Sequence, residues 1–106
     1  MAERTIAVKK QGKGIIVNVA SEVSVIAHDH RVYNEDGKYK SSAYVTSKAG
    51  VIGLTKALAA QLGKYNIRVN AFSPGGVKNP KMPEDFVKRF SATNMLNRMA
   101  RPDEYN

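Results

Sequence analysis

The sequence predicts an α/β fold: one strand–helix–strand unit of a doubly wound parallel sheet, flanked by further helices. Three observations carry this. GIIVNVAS at residues 14–21 and IRVNAFS at residues 67–73 are short runs rich in β-branched side chains. The first shows little alternation, the pattern of a strand covered on both faces. Between them, SSAYVTSKAGVIGLTKALAAQL has the length and the 3.6-residue stripe of a helix. Strand, helix, strand in this order builds a parallel pair through a right-handed crossover. A single such unit leaves strand edges and sheet faces uncovered, so residues 1–106 read as one partial domain.

The elements follow in order. Residues 1–10 suit a helix with Ala2 and Ile6 on one side, and residues 11–14 suit a turn. Residues 23–40 are irregular, polar through HDHRVYNEDGKYK, with a turn at Asp36-Gly37. The long helix starts at a cap, Ser41 or Ser42, and ends near Gly63. Pro74-Gly75-Gly76 breaks the second strand. Residues 83–90 predict a short helix, with Pro83 in its first turn and Glu84 and Asp85 at the positive end of its dipole. Arg-Pro-Asp-Glu at residues 101–104 reads as the start of another helix.

The long helix poses the functional question. Tyr44 and Lys48 lie one turn apart on the stripe that continues as Val51, Thr55, Leu58 and Leu62. Spacing alone suits a core tyrosine beside a lysine that reaches outward. It suits equally a stripe that ends in a cleft, where the pair does chemistry. The opposite side carries Ala49, Gly50, Gly53, Ala57 and Ala60. The two glycines cost helix propensity, and small residues admit a close neighbour. A helix–helix contact between subunits is expected there, making the protein a homo-oligomer through Ser42–Leu62.

Composition narrows the classes. The chain has 106 residues, 42% of them hydrophobic and 25% charged, as in ordinary soluble domains. It has no cysteine, which excludes disulfides and thiolate metal sites. The N-terminus is broken by charge, and no apolar run reaches membrane-spanning length. A soluble, cytoplasmic protein is expected. The net charge of +8 is scattered rather than clustered, so no nucleic-acid partner is expected. His28-Asp29-His30 lacks a further ligand at set spacing and reads as a solvated loop, with no metal site.

In open α/β sheets, ligands bind outside the carboxyl ends of the strands. Ser21 closes the first strand, Tyr44 and Lys48 open the helix, and Pro74-Gly75 ends the second strand. A hydroxyl, a phenol and an ammonium gathered there suit proton transfer at a carbonyl or alcohol oxygen. A cationic cofactor beside Tyr44 would add to the pull of Lys48.

These residues carry a resemblance. YVTSK followed by AGVIGLTKALAAQLGKYNIRVNAFSPGGV, preceded by GIIVNVAS and followed by MARPDE, resembles the short-chain dehydrogenase/reductase family, specifically its C-terminal catalytic part. The resemblance implies a partial Rossmann-type sheet with the N-terminal cofactor-binding half absent. It implies hydride transfer between NAD or NADP and a small alcohol or ketone, a sugar or sugar acid among the candidates. Tyr44 is then the acid/base. Lys48 binds the nicotinamide ribose and favours ionisation of the phenol, and Ser21 hydrogen-bonds the substrate oxygen. Pro74, Gly75 and Val77 contact the nicotinamide end, together with Tyr44 and Lys48.

The sequence departs from the family pattern in places. The glycine-rich cofactor turn has no match, because Gly12-Lys13-Gly14 precedes a strand instead of following one. The family's upstream Asn-Ala-Gly strand and catalytic asparagine also have no match. Ser21 and Tyr44 are further apart than usual, the extra residues falling in a loop, residues 25–40, expected to shape the substrate pocket. Ser24 is the alternative to Ser21, and Asn79 stands where many members carry threonine. The competing reading is a truncated, non-catalytic remnant or interaction module that binds no dinucleotide. In either case the isolated 106 residues are expected to be inactive.

Overall fold

The computed structural model describes residues 9–27, 29–32 and 41–105, with His30 described by its backbone alone. The first eight residues of the helix expected over residues 1–10, the Asp36-Gly37 turn and His28 lie outside the described residues. Strand β1 is Gly14–Val19, helix α1 is Ser42–Leu62, strand β2 is Ile67–Phe72 and helix α2 is Glu84–Ala92. Short 3₁₀ turns occupy Glu22–Ser24, His30–Val32, Gly63–Tyr65 and Pro102–Tyr105.

The two strands pair in parallel, from Gly14 opposite Ile67 to Val19 opposite Phe72. Helix α1 covers one face of the pair. Leu62, Ile67 and Val69 are buried between helix and sheet, with Ile16, Leu58 and Ala59 packed against them. A buried polar tie joins the same layers: Asn18 Nδ2 donates to Thr55 Oγ1 at 3.0 Å, and that hydroxyl donates to the Val51 carbonyl at 2.7 Å.

The other sheet face is open. Ile15, Val17 and Val19 are 62%, 59% and 58% exposed, and Phe72 39%. This agrees with the expectation that a single strand–helix–strand unit leaves a sheet face uncovered, although the composition of β1 suits cover on both faces. Its burial alternates residue by residue, because α1 shields one side of the sheet. Tyr105 meets Phe72 edge-on, with ring centroids 5.2 Å apart.

Ser41 is the cap of α1, its Oγ accepting from the Tyr44 N–H at 3.2 Å. Gly63 follows the helix in a right-handed conformation, and the left-handed residue that stops the chain is Asn66, at φ 59°. The stripe runs as read: Thr55 and Leu62 are buried, while Tyr44, Lys48, Val51 and Leu58 are half-buried. Ala49, Gly50, Gly53, Ala57 and Ala60 are exposed. Helix α2 begins one residue later than expected, with Pro83 at the cap position, and runs on to Ala92. Arg101 to Glu104 leads into a 3₁₀ turn and not an α-helix. Among the described residues, no helix is long and apolar enough to cross a membrane.

After β2 the chain returns alongside itself. The Lys78 N–H donates to the Ala100 carbonyl at 2.8 Å, and the Ala100 N–H to the Gly76 carbonyl at 3.0 Å. Met99 is buried beside Gly76. A Cβ on Gly76 would stand 2.5 Å from Phe90 Cε1 and 2.9 Å from Met99 Cε, so the absence of a side chain lets α2 close on this loop.

Candidate active site

The site forms where β1 and β2 end. The ladder continues past the strands: the Ala20 N–H donates to the Phe72 carbonyl at 2.8 Å, and the Glu22 N–H to the Pro74 carbonyl at 3.0 Å. Ser21 between them is fully extended, at φ −157° and ψ 159°, and caps the following 3₁₀ turn. Its Oγ accepts from the Val23 N–H at 3.4 Å. Tyr44 stands in the first turn of α1, where the Ser41 cap fixes the backbone. Lys48 lies one turn on, its Nζ 5.9 Å from the centre of the Tyr44 ring. The same ammonium donates to the Val19 carbonyl, the last of β1, at 3.4 Å.

A cleft of ≈ 530 Å³ opens beside these groups. Ser21, Tyr44, Gly75 and Val77 line it together. Pro74 and Lys48 are not part of that lining: the Pro74 carbonyl is taken by Glu22, and the Lys48 ammonium rests at the strand end. Of the two candidate serines, Ser21 lines the cleft. The Ser24 hydroxyl instead accepts from the Ser21 N–H at 3.1 Å and donates to the Lys48 carbonyl at 2.9 Å.

The loop after Ser21 forms one wall through Ile26, Ala27, Asp29 and Val32. This agrees, over its described residues, with the expectation that the loop shapes the pocket. Arg89 Nε, from α2, donates to the Val32 carbonyl at 3.0 Å and fastens the loop across the cleft. Met82, Phe86, Phe90 and Met99 make the facing apolar wall. Two carboxylates stand in the lining: Glu22, which sequence reading did not single out, and Asp29, which it read as part of a solvated loop. Asp29 grips Arg31 through both oxygens, at 2.9 and 2.7 Å. Glu22 stood next to Ser21 in the sequence, which was the available signal.

The donor set fits the nicotinamide end of a dinucleotide. A phenol and a hydroxyl face one cleft, and two residues without bulky polar side chains, Gly75 and Val77, form its edge. A Cβ on Gly75 would come within 3.3 Å of the Glu22 carboxylate, so the glycine keeps this edge low. Nothing comparable serves a pyrophosphate among the described residues, since Gly12, at φ 79°, turns the chain into β1 and not out of a strand. Asn79 Oδ1 accepts from the Lys81 N–H at 2.9 Å and belongs to a local turn. Among the described residues, no group of three or more histidine or carboxylate side chains could hold a metal ion.

Comparison with known proteins agrees with this geometry. All 106 positions, residues 1–106, match the family profile described as enoyl-(acyl carrier protein) reductase. The 3-oxoacyl-[acyl-carrier-protein] reductase of Thermotoga maritima is 40% identical over 98 residues, 90% of this chain and 36% of that protein. A short-chain dehydrogenase from Leptospira borgpetersenii, solved with bound NAD+, superimposes with a TM-score of 0.81 at 37% identity, over 93% of this chain and 37% of that one. A Beutenbergia cavernae protein provisionally described as an NAD(P)-dependent gluconate 5-dehydrogenase, solved with NADP bound at low occupancy, gives 0.75 at 28% identity, over 94% of this chain and 38% of that one. The chain thus spans a little over a third of the length of the relatives it matches. These matches carry the family and the α/β Rossmann-type architecture; they do not support the expected assignment to the C-terminal part of its members. On the full-length profile match and these structural overlays, the chain belongs to the short-chain dehydrogenase/reductase family.

Proposed function

We propose that these residues form the acid–base centre of an NAD- or NADP-dependent oxidoreductase acting on a small alcohol or ketone. The observation that carries the reading is that Ser21 and Tyr44 face one cleft at the strand ends, with Lys48 a turn along the same helix. Tyr44 gives a proton to the substrate oxygen in reduction and takes it in oxidation. The Ser21 hydroxyl donates a hydrogen bond to that oxygen and orients it. Lys48 holds the ribose hydroxyls beside the phenol. The dinucleotide, when bound, supplies or accepts the hydride. Gly75 and Val77 border the space for its nicotinamide end, and Pro74 fixes that border through its bond from Glu22. The apolar wall of Phe86, Phe90 and Met99 suits the carbon skeleton of the substrate.

The test grafts the 106-residue chain into the Thermotoga reductase in place of the matching segment. Dinucleotide-dependent turnover is expected from the graft, in which Tyr44→Phe lowers kcat at least about 100-fold. Dinucleotide affinity in that variant should stay within about threefold. A Phe variant that keeps more than about a tenth of the turnover removes Tyr44 from its role.

A second reading has its own support. No pyrophosphate-binding turn occurs among the described residues, and one sheet face is bare. A non-catalytic interaction module would have both features. Titration of the purified chain and the graft with NADH and NADPH separates the readings, because the module binds neither in either setting.

A further inference from the structure

We infer that Ser24 is a positioning residue of the proposed acid–base centre, setting the distance between Ser21 and the Tyr44–Lys48 helix. This rests on the functional reading above and names a residue that reading does not use.

The argument begins with what joins the two halves of the site. Ser21 comes from the end of β1, whereas Tyr44 and Lys48 come from α1, more than twenty residues later. The sequence between them is polar through HDHRVYNEDGKYK. Among the described residues, side-chain bonds from Asn18, Lys48 and Ser24 cross between the strand side and the helix. Asn18 reaches Thr55 two turns below the site, at 3.0 Å. Lys48 Nζ reaches the Val19 carbonyl at 3.4 Å, a long bond from a flexible stem. The third is Ser24, whose short side chain is the stiffest of the three links.

The Ser24 hydroxyl uses one donor and one acceptor, and each goes to a different half of the site. Its oxygen accepts from the backbone N–H of Ser21 at 3.1 Å. Its proton goes to the backbone carbonyl of Lys48 at 2.9 Å. One oxygen atom therefore touches the main chain of both residues. The 3₁₀ turn of Glu22–Ser24, capped by Ser21 itself, brings the hydroxyl back over its own Ser21 N–H. The main chain is already pinned on the opposite side, where the Glu22 N–H meets the Pro74 carbonyl. Removing the Ser24 hydroxyl frees the Ser21 amide and leaves the first turns of α1 tied to the strand end through the long Lys48 bond, with the Asn18–Thr55 bond two turns away. Displacements of about 1 Å in reacting groups lower rates by about 100-fold.

The experiment uses the full 106-residue chain carried in the Thermotoga reductase. Ser24→Ala is expected to lower kcat about 10- to 100-fold while the KM for substrate and the dinucleotide affinity stay within about threefold. Amide hydrogen exchange of Ser21 should accelerate in that variant while the α1 amides beyond Thr55 keep their protection. Ser24→Thr, which keeps the hydroxyl, should restore both readouts. Equal loss in Ser24→Ala and Ser24→Thr, or unchanged kcat in Ser24→Ala, overturns the positioning role. Tyr44→Phe and Ser21→Ala are measured alongside. Full turnover in those two, or a graft that binds dinucleotide and turns nothing over, overturns the functional reading and the inference with it. Loss there with a silent Ser24→Ala overturns the inference alone.

Discussion

Taken by itself, this 106-residue chain is expected not to persist as a stable monomer. The perturbation is isolation, and the structure gives its scale. The accessible surface is 8044 Å² for a mass of 11.6 kDa. A compact monomer of that mass exposes about 5,800 Å², so roughly 2,200 Å² more meets water than in a complete domain. A part of it lies on Ile15, Val17 and Val19, each more than half exposed on the open sheet face. If about 57% of the excess is apolar, burying it at about 25 cal/mol per Å² would contribute about 30 kcal/mol. A reduction of up to about 40% for a compact unfolded state still leaves more than the whole net stability of a typical domain, about 5–15 kcal/mol. The β1 edge adds a template for pairing with another chain. The assay is urea unfolding followed by circular dichroism, with sedimentation over about a hundredfold range of concentration. Association, or a broad non-cooperative transition, is expected. A concentration-independent monomer with one sharp transition and about 5 kcal/mol or more of stability would refute the reasoning.

Other outcomes are expected in the graft. Lys48→Ala should weaken dinucleotide binding about tenfold, about 1.4 kcal/mol, by equilibrium titration; unchanged affinity would remove Lys48 from the ribose. Gly76→Ala places a methyl group 2.5 Å from Phe90 Cε1, which should cost about 1–3 kcal/mol in denaturant unfolding and raise the KM for substrate as Phe90 shifts. Glu104 accepts from Arg98 at 2.6 and 3.1 Å and from the Arg101 N–H at 2.9 Å. Those bonds, the Arg98 pair foremost, hold its carboxyl down at about 2 from an ordinary 4.5. A folded-state value below the unfolded one stabilises above pH 4.5 and fades as pH falls toward 2. The melting-temperature difference between the parent graft and Glu104→Gln should therefore be full near neutrality and vanish across that window.

Much of this was legible in the residues. Two β-branched runs marked the strands, and Ser41 and the stripe through Leu62 marked α1, because these signals are local. The open sheet face was legible as well, because one strand–helix–strand unit has no second layer: Ile15, Ile16 and Val17 are all apolar, so β1 is suited to cover on both sides that this unit alone does not supply. Such a run reports what a strand tolerates, whereas exposure depends on what is packed there. The helix end near Gly63 was legible too, whereas the left-handed residue before β2 is Asn66, a conformation asparagine can take. The cleft wall was beyond reach because it depends on distant pairings. The bond from Arg89 to the Val32 carbonyl joins residues 57 apart in the chain, and no periodicity anticipates it. Ser24 was visible only as a rival to Ser21, since its two bonds run to backbone atoms.

The structure also answers why an apolar helix stripe begins with a tyrosine and a lysine. Helix α1 runs opposite to the strands it covers, so each turn can be matched to a place on β1. Leu58 and Leu62 lie over the core that includes Ile16. Thr55 is met by Asn18, and Lys48 by the carbonyl of Val19, where the strand ends. At 1.5 Å per residue, Tyr44 stands about 6 Å further along the axis, past the last strand pair. The stripe is apolar where the sheet lies beneath it and carries its phenol where the sheet stops and the cleft opens. A tyrosine buried in the core would need sheet beneath it; here there is a cavity lined by Ser21 and Gly75. The alternatives left open by spacing alone are therefore separated by where β1 ends. Moving that end tests the point: Ala20→Pro removes the N–H that donates to the Phe72 carbonyl and should displace Ser21 and Lys48 together. In the graft, turnover should then fall with both the Ser21 and the Lys48 contributions. Retained turnover in a folded variant would mean that the strand end does not set the site.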